Sequence, residues 1–176
     1  MIKKIKWSLF ALLMIFATAA CTPDLPDTGT SGTGTKDQPE KIVVMLFYPT
    51  KDALNLETET QEIVKEEKWL EKALLLLQKQ PKNANLVPAI PEGDWLRSIK
   101  IDGKVAKVDM KGETIKKWPQ GTTTEQIIIE SIANTLVKNA NVEKVIFLID
   151  GKSAETLLGH VDLLDPISPD PQWLKK

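Results

Sequence analysis

Cysteine and histidine are almost missing from this chain. Its 176 residues hold one of each, Cys21 and His160, which excludes an internal disulfide and any zinc site built on cysteine, since such sites usually need two to four thiolates. No metal or other cofactor is expected. An excess of basic charge is missing too: 23 Lys and Arg stand against 24 Asp and Glu, with no basic block able to neutralise a phosphate backbone, so a nucleic-acid partner is not expected. The sequence also contains no EF-hand loop, no Walker motif and no G-x-S-x-G elbow. Only one apolar run stands out for length, and no other approaches the roughly 18 residues of a membrane span.

That run lies at the N-terminus. Lys3, Lys4 and Lys6 precede Trp7 to Ala20, which carries no charge and is rich in Leu, Phe, Ile and Ala. As a helix the run would span about 21 Å, short of the roughly 30 Å hydrocarbon core, so it reads as the apolar part of a cleaved secretory signal covering residues 1–20. It ends in Thr18, Ala19 and Ala20, directly followed by Cys21. This arrangement resembles the bacterial lipobox, with Thr18 where that pattern favours Leu. The resemblance implies a diacylglyceryl group on the Cys21 thiol, cleavage just before it, and attachment to the extracytoplasmic face of the cell membrane. One acyl chain holds a protein only marginally and two hold it stably.

Residues 21–40 form the next piece. Thr22 to Glu40 contains three Pro, three Gly, five Thr and one Ser, with Leu25 its only large aliphatic. Such a composition cannot bury enough surface to offset its ordering entropy and reads as a tether. As a flexible coil it would span roughly 24 Å on average. Its Gly29 to Gly34 string neither follows a buried strand nor opens a helix, so it is not a phosphate loop. Lys36 against Asp24, Asp27, Asp37 and Glu40 makes the tether acidic, whereas residues 41–176 hold 19 basic and 20 acidic side chains.

Residues 41–176 are expected to be a single domain. Ile42 to Tyr48 is a continuous apolar run closed by Pro49, which predicts a strand buried on both faces. Leu54 to Val64 alternates and predicts an exposed second strand. Glu66 to Lys79 predicts a helix with Leu70, Ala73, Leu74 and Leu77 on its apolar face, stopped by Pro81. Trp95 to Met110 predicts a hairpin around a type I′ Asp102-Gly103 turn, pairing Ile101 with Lys104 and Ile99 with Ala106; Trp95, Ile99, Ala106, Val108 and Met110 then share the core face. Thr122 and Glu125 form a capping box before a second helix that buries Ile128, Ile129, Ile132, Ala133 and Leu136. Val145 to Asp150 predicts another doubly buried strand closed by Gly151. The order β(β)αββαβ is that of a small α+β domain, a mixed sheet with two helices packed on one face.

Several motifs in this domain fall in a family pattern. Pro91 and Gly93 precede the hairpin; Asp102, Gly103, Val105, Ala106, Val108 and Asp109 form its core; Thr135 and Leu136 close the second helix; Asp150-Gly151 ends the last strand, and Gly159 and Asp162 follow. Over nearly all of Lys41 to Ile167 this is similar to the GerMN domain of sporulation and germination proteins. The resemblance implies a fold like the ring-building motifs of envelope complexes and a non-catalytic assembly or interaction role in sporulation, germination or envelope signalling, with an unidentified envelope protein as partner. The motif consists of turn chemistry and core alternation, so it speaks to fold far more than to activity.

Three further readings follow from the residues. His160 with Ser153 or Ser131 and one of Asp150, Asp162 or Asp165 would formally supply a triad, but no nucleophile-positioning motif accompanies them, and an enzyme is not expected. Trp118, between Lys117 and Pro119, and Trp173, in the proline-rich tail, are candidate docking residues, each with packing as the alternative. Edge strands also offer a route to self-association. The contrasting functional class is a peptidoglycan-binding module or cell-wall hydrolase.

Overall fold

Apolar runs and period-two alternation set the strands. The computed structural model describes residues 39–175. The apolar leader, Thr18, Ala19, Ala20, Cys21 and nearly all of the tether lie outside the described residues. Strand β1 (Lys41–Pro49) pairs antiparallel with β2 (Leu56–Val64), in register from Lys41 opposite Val64 to Pro49 opposite Leu56. Burial of β1 on both faces holds only in its second half: Val44, Leu46, Phe47 and Tyr48 are buried, whereas Val43 is 67% and Met45 36% exposed. The reason is the width of this sheet, which has two strands. One face joins the core, and the other is covered near Phe47 by Leu174 of the C-terminal tail.

Helix α1 (Trp69–Leu76) is shorter than the sequence suggests, but its apolar face is the expected one, with Ala73, Leu74 and Leu77 buried and Leu70 partly so. The Tyr48 hydroxyl donates to the Leu76 carbonyl at 2.8 Å, which joins β1 to the end of this helix. Burial, with the Glu59 charge adding to it, pushes that phenol up to about 12. A four-residue turn of helix, α2 (Gly112–Ile115), precedes α3 (Thr122–Asn139). All five apolar positions expected along α3, from Ile128 to Leu136, are fully buried.

The second sheet has the order β3-β4-β5-β6, with β3 (Leu96–Asp102), β4 (Val105–Met110), β5 (Lys144–Ile149) and β6 (Lys152–Ser153). β4 and β5 run parallel and the other neighbours antiparallel. The β3–β4 hairpin differs from its expected register by two residues: Asp102 pairs with Val105, and Ile99 with Val108. Gly103 and Lys104 are therefore the central turn residues. Only Gly103, at φ 58°, has a positive φ, which is the signature of a II′-type turn. The type I′ Asp-Gly pair belongs to the β5–β6 hairpin, where Asp150 and Gly151 both have positive φ, 52° and 79°. A slip of two preserves the side-chain faces, because the strand period is two. Ala106, Val108 and Met110 are accordingly fully buried and Ile99 partly so; Trp95, one residue before β3, is fully buried as well.

The α+β class is the expected one, and the single mixed sheet is divided into two. α3 packs against both β1 and β5, and one hydrophobic cluster unites the helices with both sheets. α3 also completes the outer edge of β1. Asn139 Oδ1 accepts from Met45 N at 3.0 Å, its Nδ2 donates to Met45 O at 2.7 Å, and Thr135 Oγ1 accepts from Phe47 N at 3.3 Å. Helix side chains thus take the place of a third strand at Met45 and Phe47, so this part of the edge is closed to pairing.

Candidate functional site

The family-pattern residues at the hairpin and at the end of β5 meet in one polar groove. The β3–β4 register shifts between Leu96 and Ser98, so Arg97 is the extra residue of a bulge. Bulges re-aim side chains, and this one turns Arg97 toward Asp109 and Asp150. Its Nε lies 3.1 Å from Asp109 Oδ2 and its Nη1 3.3 Å from Asp150 Oδ1. The other Asp109 oxygen accepts from Gly151 N at 2.8 Å, so the half-exposed guanidinium and the β5–β6 turn hold this buried carboxylate from two sides. Gly112 permits the close approach of α2: a Cβ there would lie 2.6 Å from Asp150 Oδ2 and 3.0 Å from Ile149 Cγ2.

Leu96, Arg97, Lys111, Glu113 and Asp150 line the groove, about 530 Å³ in volume. Lys111 pairs with Asp94 at its rim. The groove offers two cationic heads, each paired with a carboxylate, a set suited to ionic docking. Among the described residues no cluster of His, Cys, Asp and Glu could hold a metal ion. Arg97→Ala should cost about 1 kcal/mol, because the guanidinium is half-exposed while Asp109 loses a charged partner. Urea denaturation measures this, and a change below about 0.3 kcal/mol would show that Asp109 is satisfied by Gly151 alone.

Two glutamates on α3 hold the C-terminal segment in place. Glu125 is fully buried and makes no capping box, the N-cap being Gly121 without a side-chain bond. Its Oε1 accepts from Leu157 N and Leu158 N at 2.8 Å each; its Oε2 accepts from His160 N at 2.8 Å and lies 3.1 Å from His160 Nδ1. Burial alone would raise its pKa, but the backbone donors of the 157–161 loop outweigh that and hold it below the ordinary value. Glu130, also buried, accepts from Asp170 N at 3.1 Å and from Asn134 Nδ2 at 3.2 Å. Burial dominates there and pushes its pKa up.

Neither glutamate was legible as a clamp, because its backbone donors lie about 30 to 40 residues away in sequence. The formal triad is not assembled. His160 faces Glu125, Ser131 is buried within α3, and Ser153 is exposed on β6. Trp118 is corrected as a docking residue: it is 4% exposed and meets Trp95 edge to face at a centroid distance of 6.1 Å. The loop that carries it follows α2, which turns the indole inward under the hairpin. Trp173 lies half-buried in a 3-10 turn, Pro171–Trp173, capped by Asp170.

The family Germane, described as sporulation and spore germination, matches residues 45–155. The chain belongs to this family. Its fold is that of the GerMN domain, as two structures from Bacillus subtilis show. The first GerMN domain of the sporulation protein GerM aligns with a TM-score of 0.58 and 21% identity over 73% of this chain and 96% of that one. The tandem GerMN domains of GerM align with a TM-score of 0.62, again at 21% identity over 73% of this chain, which spans only 46% of the tandem protein. A structure described as a lipoprotein from Clostridium perfringens aligns with a TM-score of 0.50 and 27% identity, over 73% of this chain and 87% of that one. No curated protein matches the sequence. The family match includes the hairpin, Asp109, Asp150 and Gly151, and with them the residues that line the Arg97 groove. Among the described residues no helix is long and apolar enough to cross a membrane.

Proposed function

We propose that this protein is a lipoprotein acylated on Cys21, held on the extracytoplasmic face of the cell membrane, whose GerMN domain is a non-catalytic interaction or assembly module of the cell envelope serving sporulation or germination. The observation that carries this reading is the joining in one chain of a domain from a sporulation and germination family to a lone cysteine placed directly behind an apolar leader. The Clostridium perfringens protein, described as a lipoprotein, supports the anchor. The Arg97 groove, with its paired charges, supports docking.

Radiolabelled palmitate should enter the wild-type protein and be lost completely in Cys21→Ala, with the variant leaving the membrane fraction. Label retained by the variant would remove the anchor from this reading. Cross-linking in the native membrane, followed by identification of the captured envelope protein, tests the interaction role.

A further inference from the structure

The outer edge of β2 carries backbone groups that no described residue meets except at one end. Lys65 N donates to Glu40 O at 2.8 Å and Thr50 N to Asn55 O at 2.9 Å, which fixes the inward-bonding pairs of the β1–β2 ladder. By the alternation of an antiparallel ladder, the N–H and C=O groups of Leu56, Thr58, Thr60, Glu62 and Val64 then point away from β1. Leu56 already has a partner: its carbonyl accepts from Lys175 N at 3.1 Å, and Leu174 bridges it in parallel. The Lys175 ammonium meets Glu57 at 2.6 Å. Leu174 shares a face with Phe47, beside a cavity of about 380 Å³.

The tail thus shows what this edge accepts, an extended segment parallel to β2 with an apolar residue on the Phe47 face and a lysine on the Glu57 face. Beyond it Thr58, Thr60, Glu62 and Val64 remain open among the described residues, next to the exposed Val43 and Met45. β2 holds three glutamates and no basic residue; Glu62 pairs with Lys41 at 2.7 Å and Glu59 accepts from the Lys82 and Asn83 amides, which leaves Glu57 as the carboxylate that meets the tail lysine. Two β2 edges brought together would oppose the Glu57 and Glu59 carboxylates of both copies. We infer that the β2 edge is a strand-addition site for a basic, extended segment of a partner protein, in which apolar residues and lysines alternate and for which the chain's own residues 174–175 are a placeholder. This goes beyond the anchor and the Arg97 groove, and does not depend on acylation.

The test uses the full chain in detergent and fluorescence anisotropy of a labelled peptide, acetyl-Leu-Lys-Val-Lys-Val-Lys-Thr-Lys-amide, against its counterpart with every lysine replaced by glutamate. The lysine peptide should bind at least about tenfold more tightly, and the preference should weaken with salt. Thr60→Pro deletes an outward N–H and no β1–β2 bond, so it should weaken binding about tenfold with the fold kept. Glu57→Lys should abolish the preference between the two peptides without touching the ladder, and deletion of residues 174–176 should tighten binding. Equal affinity for both peptides overturns the inference, as does wild-type binding by both substituted variants. A concentration-dependent dimer that is lost with the tail, without peptide capture, would assign the edge to a second copy and overturn it as well.

Discussion

Glu125→Ala should lower the stability of the domain by about 3 to 5 kcal/mol, the scale set by leaving three backbone donors unsatisfied at about 1 to 3 kcal/mol each. The carboxylate is fully buried and accepts from three backbone N–H groups. Its removal strands the Leu157 and Leu158 amides, and these should lose hydrogen-exchange protection first. For a domain of this size the loss corresponds to a melting shift of roughly 10 to 15 °C. Retention of wild-type stability would show that the 157–161 loop is held by packing and not by this clamp.

The pH dependence sharpens the expectation. The folded-state pKa of Glu125 lies below its ordinary value of 4.5, so its contribution is fully present above that ordinary value and disappears as pH falls through the lowered one. The difference between wild type and Glu125→Ala should therefore be full at pH 7 and shrink below pH 4.5. Glu130 behaves in the opposite sense. Its pKa is raised above 4.5, first by burial, so its contribution is greatest below 4.5 and is lost as pH rises through the raised value. At neutral pH its charge is then a cost, and Glu130→Gln, which keeps an acceptor for Asp170 N, should change stability by no more than about 1 kcal/mol. Denaturant titrations of both variants at pH 4 and pH 7 check the signs. Equal losses at pH 7 would show that the two glutamates are equivalent struts.

Trp95→Ala should have a comparable effect, about 3 to 5 kcal/mol, as expected for deleting a fully buried indole. Trp95 sits where the chain enters β3, and its ring meets Trp118 edge to face at 62°. The cavity opens between the hairpin and the loop after α2, two segments joined by few other aromatic contacts. Trp118→Ala should lose nearly as much. The double variant should lose less than the sum of the two, with a coupling of about 0.5 to 1.5 kcal/mol measured by a denaturant double-mutant cycle. Strict additivity would mean that each indole packs independently.

The difference in legibility between these residues has a physical cause. Trp95 was placed on the core face by alternation alone, since a strand of period two allows only two choices and the apolar face is the inner one. The same logic placed Ile128 through Leu136 of α3. The hairpin register escaped because Asp102-Gly103 and Gly103-Lys104 both offer a glycine with positive φ, and a slip of two residues leaves every side chain on its face. The Arg97 groove escaped for a related reason: although Arg97 is the only arginine in the chain, a bulge leaves no mark in the apolar pattern, so nothing local says which carboxylates it turns toward. Trp118 escaped in the other direction, because Pro119 and Gly121 mark a loop without saying which way its side chain turns.

By itself the sequence determined the cysteine behind the apolar leader, the tether composition, most of the strands and helices, the buried faces of α1, α3 and the hairpin, and the family to which the domain belongs. These are local or periodic properties, set by transfer free energy and backbone sterics over a few residues. Tertiary structure alone decided that the strands form two sheets, that α3 side chains close part of one edge of β1 while β2 keeps an open edge, and that Glu125, Glu130 and Arg97 meet partners far along the chain. Such pairings depend on which distant backbone groups lose water together, and no window of sequence contains both sides of that balance.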